Sequence, residues 1–98
     1  MIRHVAVFRF KNNVTDAIID EIDETLATLP SIIPEIISFS SGRNADVTES
    51  AWDYAVVSDF ASPEDYLAYA ANPQHVDMVK NLVGPHVLEA SRTQFELD

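Results

Sequence analysis

The chain has 98 residues, of which 47% are hydrophobic, and its 16 acidic and 6 basic side chains give a formal net charge of −10. This length predicts one domain spanning residues 1–98, and the negative charge argues against a nucleic-acid partner because phosphates would be repelled. There is no cysteine and no apolar run of roughly 18 residues, which excludes disulfides and thiolate catalysis, argues against a membrane span and fits a cytoplasmic location.

The first third of the chain predicts a strand followed by an amphipathic helix. Residues 2–11 alternate between two faces, as in a strand, and Asn12-Asn13 predicts a turn. A helix then begins at Thr15-Asp16, and we expect it to end near Leu29 because Pro30 and Pro34 bracket a short segment that is irregular or forms a single turn. The apolar stripe of this helix consists of Ile18, Ile19, Ile22, Leu26 and Leu29.

Three more strands are predicted. Residues 36–41 form the second strand, which Gly42 closes, and the polar residues 43–50 form a long hairpin loop. Residues 52–60 alternate again and predict the third strand, while residues 87–97 predict the fourth.

Between the third and fourth strands the sequence predicts a broken helix. Ser62 is suited to cap its first turn, and Pro63 fits the first helical position. Pro73 lacks an N–H and disfavours helical dihedrals at Asn72, so Asn72 should cap a second segment that ends at Gly84-Pro85. In one straight helix Tyr69 and His75 would lie about 120° apart, whereas a kink between them can direct both side chains into one pocket.

The order β-α-β-β-α-β predicts an α+β protein with the ferredoxin-like fold, in which an antiparallel four-stranded sheet carries both helices on one face. The first and third strands are then central and antiparallel. One register brings opposite charges together and pairs aromatic residues on the helix-facing side. Its predicted pairs are Ile2–Phe60, Arg3–Asp59, His4–Ser58, Val5–Val57, Val7–Ala55, Phe8–Tyr54, Arg9–Asp53 and Phe10–Trp52.

The other face of this sheet predicts a homodimer. Val5, Val7, Ala55 and Val57 lie at its centre, and no helix remains to cover them. An uncovered apolar surface of this kind usually marks an interface. We therefore expect two sheets to pack face to face as a homodimeric α+β barrel.

Four segments resemble the stress-responsive dimeric α/β-barrel (Dabb) family. They are HVAVFRFK at residues 4–11, LATLP with IPEI within residues 26–36, GRN at residues 42–44 and YAANPQH at residues 69–75. The resemblance covers nearly the whole chain and implies a ferredoxin-like dimer, but it does not imply one particular activity.

One plant branch of this family, olivetolic acid cyclase, is a polyketide cyclase, and the resemblance to it implies a catalytic pair at Tyr69 and His75. It also implies a pocket position for His4. Tyr54 and Asn72 depart from the pattern, since histidines stand at the corresponding positions of that branch or of the family.

Ordinary pKa values assign roles to the pair, if it acts. Moving a proton from tyrosine (pKa about 10) to histidine (pKa about 6.5) costs roughly 5 kcal/mol. Tyr69 would therefore stay protonated and donate to an oxyanion, while His75 would remove a proton from carbon or a phenol. The structural alternative is that Tyr69 is a core aromatic residue and that His75 packs at the kink.

We predict that the domain binds a small apolar or phenolic ligand between the sheet and the helices, unless side chains fill that space. The predicted ligand-binding residues are His4, Phe8, Tyr54, Tyr66 and Asn72. The alternative is a cofactor-independent cyclase or isomerase that uses His75 and Tyr69, and a cofactor-free monooxygenase is a third class by analogy of fold. With two glycines and three dispersed histidines, the sequence predicts neither a phosphate-binding loop nor a metal site, so we expect no cofactor.

Overall fold

The structure is a computed structural model that describes residues 1–97. Its strands are β1 (Ile2–Phe10), β2 (Ser38–Arg43), β3 (Tyr54–Phe60) and β4 (Val87–Glu96). Its helices are α1 (Asp16–Ile32), α2 (Pro63–Ala71) and α3 (Pro73–Met78), and α3 continues into a π-helical turn at Val79–Val83 and a 3₁₀ turn at Gly84–His86. The strands form one antiparallel sheet in the order β2-β3-β1-β4. The ferredoxin-like βαββαβ prediction is therefore confirmed.

The predicted register of β1 and β3 is confirmed from Ile2–Phe60 to Phe8–Tyr54. It is wrong beyond that point, because β3 begins at Tyr54 and the side chain of Asp53 replaces the next ladder bond by accepting from the backbone N–H of Phe10 at 2.9 Å.

The two predicted end pairs consequently do not form. The guanidinium of Arg9 lies 3.9 Å from Glu89 on β4 instead of facing Asp53. The ring of Phe10 packs against Tyr54, with 5.9 Å between ring centroids, rather than against Trp52.

The predicted end of α1 is also wrong, since the helix continues through Pro30 to Ile32. Pro30 has no N–H and therefore lacks one helical hydrogen bond. The extra turn nevertheless extends the apolar face of the helix as far as Ile33, whose side chain is fully buried. The backbone N–H of Ile33 still donates to the carbonyl of Leu29 at 2.9 Å. The second strand consequently begins at Ser38 rather than at residue 36.

The break in the second helix is confirmed, together with both of its caps. The hydroxyl of Ser62 accepts from the backbone N–H of Asp65 at 3.2 Å. The side-chain oxygen of Asn72 accepts from the backbone N–H of Gln74 at 2.9 Å. These caps satisfy helical N–H groups that have no intrahelical partner, so α2 and α3 each begin as a separately capped helix.

One core lies between the sheet and the helices. Ile22, Leu26 and Leu29 of α1 pack there with Val56 and Phe60 of β3. The opposite face of the sheet has no covering helix. Within residues 1–97, no helix is both long enough and apolar enough to cross a membrane.

The uncovered face contains the four residues predicted for the interface, and all of them are half-buried in the single chain. At its edge, the Nε atom of Arg3 donates to Asp59 at 2.8 Å, and the hydroxyl of Ser38 donates to the same carboxylate at 2.6 Å. These hydrogen bonds lower the pKa of Asp59 to about 2. The charges at this end of the face are therefore already paired within one chain.

Gly84 is required by close backbone approach, and this gives a first prediction. A Cβ added there would lie 2.7 Å from the carbonyl oxygen of Val79, whereas a Cβ at Gly42 would meet nothing within 4 Å. We expect Gly84→Ala to lower the free energy of unfolding by about 1–3 kcal/mol, as overpacking typically does. Urea unfolding at one protein concentration measures the effect. Gly42→Ala is the control, and equal midpoints for the two variants would contradict this interpretation.

Candidate functional site

A cavity of ≈370 Å³ opens between the sheet and the broken helix. The sheet contributes β1, β3 and β4 to its walls, and the helical side contributes α1, α2, α3 and the turns that follow α3. Its lining residues are His4, Ala6, Phe8, Leu26, Val56, Tyr66, Tyr69, Ala70, His75, Met78, Val79, Val83, Gly84, Val87, Ala90 and Arg92. A larger concavity beside the loop of residues 44–53 is lined mostly by exposed loop residues and holds none of the predicted site residues.

The kink at Asn72 brings Tyr69 and His75 together. Tyr69 is on the last turn of α2 and His75 is on the first turn of α3, and their ring centroids are 4.2 Å apart. The Nδ1 atom of His75 lies 3.2 Å from the carbonyl oxygen of Ala70. Because a carbonyl can only accept, Nδ1 carries the proton in the neutral ring. The lone pair of His75 is then on Nε2, the nitrogen that the backbone does not occupy.

Burial moves the pKa values of these two residues apart. It lowers the pKa of His75, although the hydrogen bond to Ala70 opposes the change. Burial also raises the pKa of Tyr69 to about 12, with a further contribution from Tyr66. At neutral pH the pair consequently consists of a neutral imidazole and a protonated phenol, which are the forms that a base and a hydrogen-bond donor need.

His4 lies on β1 and faces the same cavity. Its ring centroid is 4.8 Å from that of Tyr66 and 6.5 Å from that of Tyr69. Its Nδ1 lies 2.8 Å from the side-chain nitrogen of Gln94, and an amide N–H donated to Nδ1 leaves the proton of a neutral ring on Nε2. Burial, followed by the charge of Arg92, lowers the pKa of His4. His4 and His75 thus line the cavity as opposite tautomers: the Nε2 atom of His4 is a donor, and the Nε2 atom of His75 is an acceptor.

Two predicted ligand-binding residues, Phe8 and Tyr66, also line the cavity. Tyr54 and Asn72, which were also predicted to bind the ligand, are not among the residues that line this cavity. The hydroxyl of Tyr54 donates to Asp23 on α1, and the side chain is 1% exposed. Burial and that hydrogen bond raise the pKa of Tyr54 to about 12. The side chain of Asn72 is used for capping α3.

The sequence interpretation missed Arg92, Ala90 and the residues after α3. The structure places Arg92 and Ala90 in the cavity wall through the pairing of β1 with β4, in which Arg92 pairs with Ala6 and Ala90 pairs with Phe8. Side chains of directly paired residues share one face of a sheet. Over residues 1–97, no group of three or more histidine, aspartate or glutamate side chains is arranged to hold a metal ion.

Comparison with known proteins gives one family and many similar structures. The family described as "Stress responsive A/B Barrel Domain" matches residues 2–97. Curated protein sequences give no significant match.

Three of the similar solved structures show how far the descriptions of proteins with this fold differ. A dimeric ferredoxin-like protein of unknown function from Thermobifida fusca is 29% identical, with a TM-score of 0.90 and coverage of 98% of this chain and 90% of that one. A Dabb family protein from Mesorhizobium loti is 21% identical, with a TM-score of 0.83 and coverage of 99% and 96%. A hydroxynitrile lyase from Passiflora edulis is 23% identical, with a TM-score of 0.85 and coverage of 99% and 93%.

Proposed function

This chain belongs to the stress-responsive A/B barrel domain family, and we propose that it binds a small apolar or phenolic molecule between its sheet and its broken helix. The observation that supports this proposal is the open cavity of ≈370 Å³, which is within the size range of small-molecule sites. Its walls are mostly aliphatic and aromatic. A few polar atoms, on His4, Tyr66 and His75, are available to orient a hydroxyl or carbonyl group.

The proposal includes a homodimer formed by the uncovered face of the sheet. The similar protein from Thermobifida fusca is described as dimeric, which supports this assembly. Val5, Val7, Ala55 and Val57 are the proposed centre of the interface, and the cavity lies on the other side of the sheet. Each chain would then keep its own cavity. A cytoplasmic location, which the cysteine-free sequence favours, belongs to the same proposal.

Binding of naphthol, a fluorescent phenol, tests the ligand-binding proposal. Ala90 is exposed and lines the cavity, so Ala90→Phe should fill the cavity without disturbing the core. We expect this variant to weaken naphthol binding at least about tenfold, because a filled cavity offers no apolar surface to the ligand. Fluorescence titration measures the dissociation constants.

Ala68→Phe is the matched control, since Ala68 is exposed on α2 and does not line the cavity. This control should bind naphthol as the wild type does. Equal binding by Ala90→Phe and the wild type would place the ligand elsewhere and overturn the proposal.

A second candidate is cofactor-independent proton abstraction, as in a cyclase or isomerase. The contact between Tyr69 and His75, with a lone pair on the Nε2 atom of His75, favours this candidate. His75 would remove a proton from carbon, and Tyr69 would donate to the oxyanion that forms. Tyr69 and His75 belong to the proposed site whether the protein only binds a ligand or also catalyses a reaction, because binding and catalysis would use the same cavity.

A further inference from the structure

Arg92 differs from the other side chains that line the cavity. It lies on β4 opposite Ala6, and both residues face the cavity. No described lining residue is an aspartate or a glutamate, and the lining histidines, His4 and His75, both have lowered pKa values. Among the described lining residues, Arg92 therefore supplies the one side chain that is charged at neutral pH.

Arg92 also differs from the other arginines of the chain. Arg3 pairs with Asp59, Arg9 approaches Glu89, and Arg43 pairs with two carboxylates on α1. Within residues 1–97, Arg92 has no carboxylate within ion-pair distance, although acidic residues greatly outnumber basic ones. Its guanidinium is consequently available to a group that the chain itself does not supply.

The electrostatics of the cavity point to an anion. Arg92 and His4 both line the cavity, and the charge of Arg92 adds to burial in lowering the pKa of His4. A ligand anion in an otherwise apolar site is costly unless a charged donor pairs with it. Guanidinium and carboxylate match each other as paired donors and acceptors. A single positive charge suits a monovalent carboxylate better than a doubly charged phosphate.

We propose that Arg92 binds the carboxylate of the ligand while the apolar body of the ligand fills the cavity towards Met78 and Val56. The ligand class is thus a small aromatic or aliphatic carboxylic acid. This inference rests on the proposed ligand-binding function and narrows it. Carboxylate binding would also explain why β4 contributes a cationic residue to the cavity wall, where its other lining residues are Val87 and Ala90.

Cinnamate and cinnamamide test the proposal, because they have the same shape and differ in charge. We expect the wild type to bind cinnamate about 10- to 100-fold more tightly than cinnamamide, the range of a hydrogen bond to a charged group. Arg92→Met should abolish that preference by weakening cinnamate alone, and Arg92→Lys should retain part of it. Calorimetric titration gives the affinities, and NMR contacts between the ligand ring and the Met78 methyl group locate the ligand.

Lys80→Met is the charge control, because it removes one positive charge from an exposed residue outside the cavity lining. It should preserve the preference for cinnamate. Equal binding of the two compounds by the wild type, or an unchanged preference in Arg92→Met, would overturn the role of Arg92 and leave the ligand-binding function standing. If neither compound binds while naphthol does, the carboxylic acid class is wrong. If none of the three binds, both proposals fail.

Discussion

Val57→Glu is expected to convert the protein from a dimer into a monomer at micromolar concentration. Val57 pairs with Val5 at the centre of the uncovered sheet face, so the new carboxylate would be buried without a partner between two sheets. An unpaired buried charge costs several kcal/mol. A factor of ten in affinity corresponds to about 1.4 kcal/mol, and the dissociation constant should therefore rise at least about 100-fold.

Sedimentation velocity over a concentration series measures this change. Val76→Glu is the matched control, because Val76 is 47% exposed on α3, on the opposite side of the sheet. It adds the same charge and should leave the dimer intact. A monomeric wild type, or a Val57→Glu variant that sediments as a dimer, would show that the face does not form the interface.

The register of β1 and β3 could be predicted because the two strands carry matching patterns. The pair of charged residues Arg3 and Asp59 and the pair of aromatic residues Phe8 and Tyr54 both form in the observed register, and together they favoured it over neighbouring registers. Strand β4 has no comparable alternation, and nearly all of its side chains are exposed. Its register could not be inferred from the sequence, and for this reason Arg92 was missed.

The sequence pattern could not show whether the space between the sheet and the helices is open or filled. A pattern predicts which face of an element is apolar, but whether facing side chains meet depends on their volumes and on the distance between the layers. Here small residues occur on opposite walls, with Ala6 and Ala90 on the sheet and Ala70 and Gly84 on the helical side. The sequence pattern also did not reveal the partner of Tyr54, whose hydroxyl donates to Asp23 on α1.

His75→Gln is expected to abolish most of any proton-abstraction activity. Phenylacetone is a suitable probe, since its acidic CH₂ group lies next to a carbonyl and exchange of that proton in D₂O is followed by NMR. Removing a general base lowers rates by about 10²- to 10⁴-fold. Tyr69→Phe should lower the rate by about 10²- to 10³-fold, because it removes the donor to the oxyanion. His86→Gln is the control, since His86 does not line the cavity.

The pH dependence of this exchange separates catalysis from binding. The active form of His75 is neutral, and its pKa lies below the ordinary 6.5, so the rate should be level at neutral pH and fall only when the pH drops below about 6.5. The groups that face His75 are Tyr69, the carbonyl of Ala70 and His4, whose pKa is also lowered. Since the pKa of Tyr69 is about 12, its donor persists throughout the usual alkaline range. Equal exchange rates for the wild type and His75→Gln would eliminate the catalytic candidate. Ligand binding would then be the function that the cavity supports.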